Sequence, residues 1–262
     1  EVEDGGCGFD SQWDLSFVHT IREVLKAGDD SGRDLEKIRQ IIVRRFYLDA
    51  FERVIYTESH DEVANGKARM PEELAPNKAD TLYAKKLSTV GAALVFTSPG
   101  IPMIFQGQEF LEDDWFHDRD PLDWSKKEKF AGIFRLYCDL ISLRLNGNGK
   151  TAGLSGQETD VFHVNNNDKV LAYHRWNEGG PGDSTLVVVN MSNREYHDYR
   201  IGLPGGGIWK IRFNSDSKLY DKEFSGLECG DVKADNDAMD SQPFGGSLNI
   251  APYSVIILSR EG

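Results

Sequence analysis

The sequence predicts an α/β unit built on parallel strands over residues 1–145, followed by an antiparallel β-sandwich over residues 151–262. Three observations carry this. In the first half, amphipathic helical segments alternate with short β-branched runs that end abruptly in polar clusters, the pattern of β-loop-α repeats in a parallel sheet or barrel. At Asn146-Gly147-Asn148-Gly149-Lys150 the helical period stops. Beyond it, short alternating strands are separated by Asn165-Asn166-Asn167-Asp168, Glu178-Gly179-Gly180-Pro181-Gly182 and Pro204-Gly205-Gly206-Gly207, the turn spacing of a sandwich.

Residues 1–14 are glycine-rich and then polar-aromatic, a loop leading to a short strand end. Phe17, Val18, Ile21, Val24 and Leu25 recur at helical spacing over 15–26, with Asp14 placed to cap. A second helix over 34–46 carries Leu35, Ile38, Ile41, Ile42 and Phe46 on one side and Arg39, Arg44 and Arg45 on a solvated one. Residues 53–57 read as a buried strand, and 62–77, with Gly66-Lys67-Ala68-Arg69 and two prolines, as a long loop. A helix over 78–96 ends at Pro99-Gly100-Ile101-Pro102, and Met103-Ile104-Phe105 reads as a strand running into Gln106-Gly107-Gln108-Glu109. The loop 111–125 is crowded with acidic and aromatic residues, and a helix spans 126–145. In the second half strands are expected at 161–164, 170–176, 185–190, 199–203, 208–213, 247–250 and 254–258, with Trp176 and Trp209 in the core. Residues 221–246 read as a long acidic, partly mobile loop.

Composition narrows the function. A net charge of −13 opposes nucleic-acid binding, which needs excess Lys and Arg to neutralise phosphates. Apolar runs are too short to span a bilayer, so no membrane partner is expected, and residues 1–6 do not resemble an export signal. Cys7, Cys138 and Cys229 are widely spaced and odd in number, which fits reduced thiols in a cytoplasmic setting. The histidines show no ligand spacing, so neither a metal nor another cofactor is expected.

The chemistry concentrates where the run Val54-Ile55-Tyr56-Thr57 meets Glu58-Ser59-His60-Asp61-Glu62. Carboxyl ends of parallel strands are where α/β folds bind ligands, because the following loops converge there above a rigid support. A His-Asp dipeptide is equally compatible with a hydrogen-bonded structural histidine.

In order and spacing, Glu58-Ser59-His60-Asp61-Glu62, the run 99–109, Pro121-Leu122-Asp123-Trp124 and Leu140-Ile141-Ser142-Leu143-Arg144 resemble the last third of the catalytic barrel of the α-amylase family. The opening Gly5-Gly6-Cys7-Gly8-Phe9-Asp10 and the Glu-Ser-His-Asp-Glu cluster look most like that family's 1,4-α-glucan branching enzymes; the β-rich remainder resembles the domain that follows the barrel. The resemblance implies the C-terminal third of a (β/α)8 barrel followed by an antiparallel β-sandwich, with an α-glucan substrate. On it, Asp61 grips sugar hydroxyls at the cleavage subsite and favours the oxocarbenium-like transition state, and His60 donates to the same sugar. Glu62, Gln108 and Trp115 are the candidate substrate-binding residues, Trp115 as a stacking platform. Ion pairs of Glu58 and Glu62 with Lys67, Arg69 or Arg119 are the competing structural reading.

The sequence departs from the family in one decisive respect. A retaining mechanism needs a nucleophilic and an acid/base carboxylate about 5–5.5 Å apart. The family carries them on the fourth and fifth strands, which would precede Glu1; Glu1 itself is a poor candidate, since the opening resembles the sixth-strand region. Ser59 also stands where many amylases have asparagine. The expectation is a piece inactive alone, its open strand edges requiring the missing part of the barrel or self-association. Hydrolytic or trehalose-releasing relatives, and a non-catalytic carbohydrate module, are the alternatives.

Overall fold

The computed structural model describes residue 2 and residues 6–261. Glu1, weighed above as an acid, and Gly5 of the glycine-rich opening lie outside the described residues.

Strands β1 (Gln12–Trp13), β2 (Arg53–Ile55) and β3 (Ile101–Pro102) form a parallel sheet in the order β1-β2-β3. Helices α1 (Leu15–Leu25) and α2 (Leu35–Val43) make the crossover from β1 to β2, and α3 (Met70–Leu74) and α4 (Leu82–Thr97) that from β2 to β3. Asp14 caps α1 as expected, its Oδ1 accepting from Phe17 N at 3.1 Å. Its Oδ2 accepts from Arg53 Nε at 2.8 Å, so one carboxylate joins helix start to strand. Helices α5 (Ser125–Lys129) and α6 (Ala131–Arg144) follow.

Several boundaries differ from the sequence expectation. The ladder of β2 stops at Ile55, and β3 covers residues 101–102 rather than 103–105, although Met103 N still donates to Ile55 O at 2.9 Å. The expected helix 126–145 breaks at Phe130 (φ −111°, ψ 35°). The loop 62–77 contains α3, started by Pro71 within its first turn.

After the four-residue helix α7 (Ala152–Ser155), the chain is all antiparallel β. Strands β4 (Glu158–Asn165), β5 (Val170–Trp176), β6 (Thr185–Asn190), β8 (Ile208–Asn214), β9 (Val232–Lys233) and β11 (Ser254–Arg260) form a six-stranded sheet in the order β4-β5-β6-β11-β8-β9. Strands β7 (Tyr196–Leu203) and β10 (Phe244–Ile250) pair as a separate two-stranded sheet. Residues 221–246, expected as a loop, contain β9 and a bridge between Asp235 and Gly245. Those pairings reach strands distant in sequence, which local composition cannot reveal.

The six-stranded sheet is covered on both faces. Leu171, Tyr173, Val187, Val189, Val255 and Ile257 join the core shared with α1, α2, α4 and α6. Their alternates Val170, Ala172, Leu186, Val188, Ile256 and Leu258 join a second core with Ile201, Trp209, Leu248 and Ile250. A strand alternates its side chains between faces, so two cores demand unbroken apolar runs, and β6 is buried throughout. Trp209 is fully buried, with Nε1 donating to Gly205 O at 2.9 Å, whereas Trp176 is half-buried and stacks on His174.

Candidate functional site at the tips of the parallel strands

Beyond the β2 tip the chain stays buried from Tyr56 to Ser59 and then turns outward. Glu58 is fully buried; His60 and Asp61, two and three residues on, are exposed, with side chains 55% and 71% accessible and His60 Nε2 3.4 Å from Asp61 Oδ1. Trp13, at the end of β1, supports this pair. Parallel pairing sets Trp13 beside Val54, and its ring meets Tyr56 edge-on at 5.3 Å and His60 at 5.7 Å. The buried hydroxyls of Tyr56 and Ser59 have no hydrogen-bond partner among the described residues. Burial, then the nearby Glu62 and Asp61 carboxylates, push the Tyr56 phenol up to about 12.

Glu62 and Gln108, expected to face substrate, are buried and internally bonded. Glu62 Oε1 lies 3.1 Å from His19 Nε2, and Oε2 3.9 Å from Arg22 Nε. Arg22 donates to Thr57 O and Ala68 O, each at 2.9 Å, and pairs with Glu73 at 2.7 Å, so α1 holds both ends of the loop carrying His60 and Asp61. Gln108 Nε2 donates to Thr57 Oγ1 at 2.5 Å, and its Oε1 accepts from Phe105 N at 3.2 Å, locking the β3 tip to the β2 tip. Both are supports beneath the surface: Glu62 faces the His19 and Arg22 side chains of α1, and Gln108 satisfies the Phe105 N–H and ties it to Thr57.

Glu58 accepts from Met70 N at 2.7 Å and from Arg69 Nη1 at 3.3 Å. Burial raises its carboxyl above the ordinary value, against the pull of the Arg69 guanidinium. Of the ion pairs considered from the sequence, Glu58 with Arg69 forms. Trp115 is 52% exposed and rests against His117 at 5.6 Å. Its neighbour Phe116 donates its N–H to Val63 O at 2.7 Å, joining the loop after β3 to the loop after β2. Between them lies a groove of about 460 Å³ lined by Lys67, Ala68, Asp113, Asp114 and Trp115. Exposed aromatic face, carboxylates and an ammonium are the groups that stack on and hydrogen-bond to a polyhydroxylated ring.

Among the described residues, Glu112, Asp113 and Asp114 have carboxylate oxygens close enough for a shared cation. The Lys126 ammonium already sits there, bonded to Glu112 and Asp113. Burial alone would raise Glu112, but Lys126 and the backbone N–H groups of Asp123 and Asp114 hold it below the usual carboxylate value. The cluster is a loop clasp closed by the Lys126 ammonium.

Sequence reading missed Trp13 and Arg22 as parts of this site and weighed Arg69 only as one of several ion-pair partners. Arg69 alone left a signal, standing immediately before the Met70-Pro71 helix start.

Comparison with known proteins agrees with this architecture. Residues 162–261 match the family described as the α-amylase C-terminal all-β domain. The 1,4-α-glucan branching enzyme GlgB of Rhodopseudomonas palustris is 31% identical over 99% of this chain and 35% of its own length; that of Burkholderia thailandensis is 28% identical over 100% and 31%. The chain therefore spans about a third of the length of these curated relatives. Among solved structures, a pullulanase from Anoxybacillus has a TM-score of 0.66 at 20% identity, covering 95% of this chain and 35% of that one. The α-amylase of H. orenii scores 0.62 at 19%, covering 97% and 49%. No helix among the described residues is long and apolar enough to cross a membrane. The chain is thus similar, over nearly all of its length, to about a third of the length of 1,4-α-glucan branching enzymes, and its residues 162–261 belong with the C-terminal all-β domain of α-amylases.

Proposed function

We propose that this chain is the C-terminal portion of a 1,4-α-glucan branching enzyme. The observation that carries the reading is the exposed His60-Asp61 pair at the tip of the central strand of a parallel sheet, where α/β folds bind ligands. The relatives, named as branching enzymes over nearly all of this chain, favour transfer over hydrolysis. In this reading residues 1–145 are the last three strands and helices of a (β/α)8 barrel, and residues 151–262 the sandwich domain after it.

The enzyme cleaves an α-1,4 linkage and passes the glycosyl chain to a 6-hydroxyl, as in glycogen synthesis in the cytoplasm. Asp61 holds ring hydroxyls as positive charge develops, His60 donates to the same sugar, and Trp115 offers an aromatic face to a neighbouring glucose. Glu62 and Gln108 act beneath them, fixing the loop and the strand tip. The nucleophile and acid/base carboxylates belong to another part of the barrel, so the isolated chain is inactive. Its parallel sheet, with β1 and β3 at the edges, calls for that part or for self-association.

The test is to give amylose to the full-length polypeptide containing this chain. Iodine staining should fall with little release of reducing ends, and Asp61→Asn should abolish the fall. Reducing ends appearing in step with lost staining would replace branching with hydrolysis; no change in amylose would remove the glucan reading.

A further inference from the structure

The loops bearing His60-Asp61 and Trp115 emerge from different strands, yet one side chain reaches both. Arg69 is 1% exposed. Its Nε donates to Asp114 O at 3.1 Å, next to Trp115; its Nη1 donates to Gln106 O at 2.8 Å, on the β3 tip, and to Glu58 Oε2 at 3.3 Å, on the β2 tip. Its guanidinium lies 4.9 Å from the centre of the Phe105 ring. Glu58 Oε1 completes the frame by accepting from Met70 N at 2.7 Å, and Phe116 N closes it from outside on Val63 O at 2.7 Å. The groove lined by Lys67 and Ala68 on one wall and Asp114 and Trp115 on the other opens beside these contacts.

A planar fork with several fixed donors can hold three backbone segments at set angles, whereas an ammonium acts as a point charge without that geometry. We propose that Arg69 is a positioning residue of the glucan site, setting the width of the groove between the Lys67 and Trp115 walls and thereby the placement of the bound glucan. This rests on the reading of the site as a glucan site. Arg69 touches no substrate; it acts through Glu58, Gln106 and Asp114. A purely structural Arg69 would stabilise the whole fold without favouring this groove.

The experiment compares wild type with Arg69→Lys and Arg69→Met in the full-length polypeptide, with amylose as substrate and peptide-level hydrogen exchange as second readout. Positioning predicts faster exchange in the peptides carrying Met70 and Phe116, with peptides from β6 unchanged. It also predicts a KM raised about tenfold with a smaller change in kcat, since uniform binding is what is lost. Combining Arg69→Lys with Trp115→Ala should add little beyond the larger single effect, because both disturb one wall. Exchange that rises equally everywhere, or KM values that match wild type, would overturn the proposal. If Arg69→Met does not fold, Arg69→Lys keeps the charge beside Glu58 and decides. Should wild type leave amylose untouched, the glucan reading and the KM arm fall together, while the exchange pattern still reports whether Arg69 couples the two loops.

Discussion

The ring of Trp13 meets the imidazole of His60 at 5.7 Å with 68° between their planes, so the end of one strand sets the orientation of a side chain at the tip of the next. Aromatic pairs in this geometry are worth about 0.5–1.5 kcal/mol beyond the area they bury. Trp13→Ala is therefore expected to leave overall stability nearly intact while freeing His60. The readout is the NMR spectrum of the His60 ring, whose ring-current-shifted signals should return to ordinary positions; unchanged signals would remove Trp13 from the site.

Asp14 separates two contributions that a single alanine substitution would merge. Losing an N-cap costs about 1 kcal/mol, whereas leaving a buried charge unpaired costs about 3–5 kcal/mol. Arg53, fully buried, has Asp14 as its acidic partner at 2.8 Å. Asp14→Asn, which retains the cap but not the charge, should lie closer to Asp14→Ala than to wild type in urea unfolding. If Asn behaves like wild type, the cap matters more to stability than the charge.

His174 ties stability to pH. Burial, opposed by the Asp183 charge, lowers its imidazole from 6.5 to about 4, and the ring stacks on Trp176 at 4.7 Å. Its folded pKa lies below its unfolded one, so the unfolded chain binds the proton more readily between those values. The stability it contributes is complete above about 6.5 and is lost as pH falls towards 4. Wild type should lose Tm faster than His174→Phe across that window, and the two curves should run parallel above it. Parallel curves throughout would contradict the assignment.

Gly132 sits where α6 meets the turn at Tyr220. An added Cβ would stand 2.1 Å from Tyr220 O, a backbone atom that cannot swing aside. Alanine is favoured over glycine in a helix by about 1 kcal/mol, but overpacking costs about 1–3 kcal/mol, so the contact should outweigh the propensity. Gly132→Ala is expected to lower the urea midpoint; a raised midpoint would show that the turn yields easily.

Much of this was legible in the sequence. Helix α1 and its Asp14 cap and strands β5 and β6 follow from period and capping chemistry, whereas charge allowed several ion pairs of which Glu58 with Arg69 is the one that forms. Boundaries at β3 and the break at Phe130 were not, because pairing geometry and one backbone conformation decide them. At the site, His60, Asp61 and Trp115 were expected at the surface and lie there; Glu62 and Gln108 were expected beside them and lie underneath. Polar character marks both kinds of residue alike in a sequence.

Local chemistry was enough to set the order of the two styles of structure and the residue types at each strand tip, since periodicity and turn preference act over a few residues. Which polar groups face outward and which are bonded within was decided by tertiary structure alone. A carboxylate or amide at a strand tip satisfies itself on whatever lies nearest in space, and that partner is His19 from α1 for Glu62 and Thr57 past the end of β2 for Gln108.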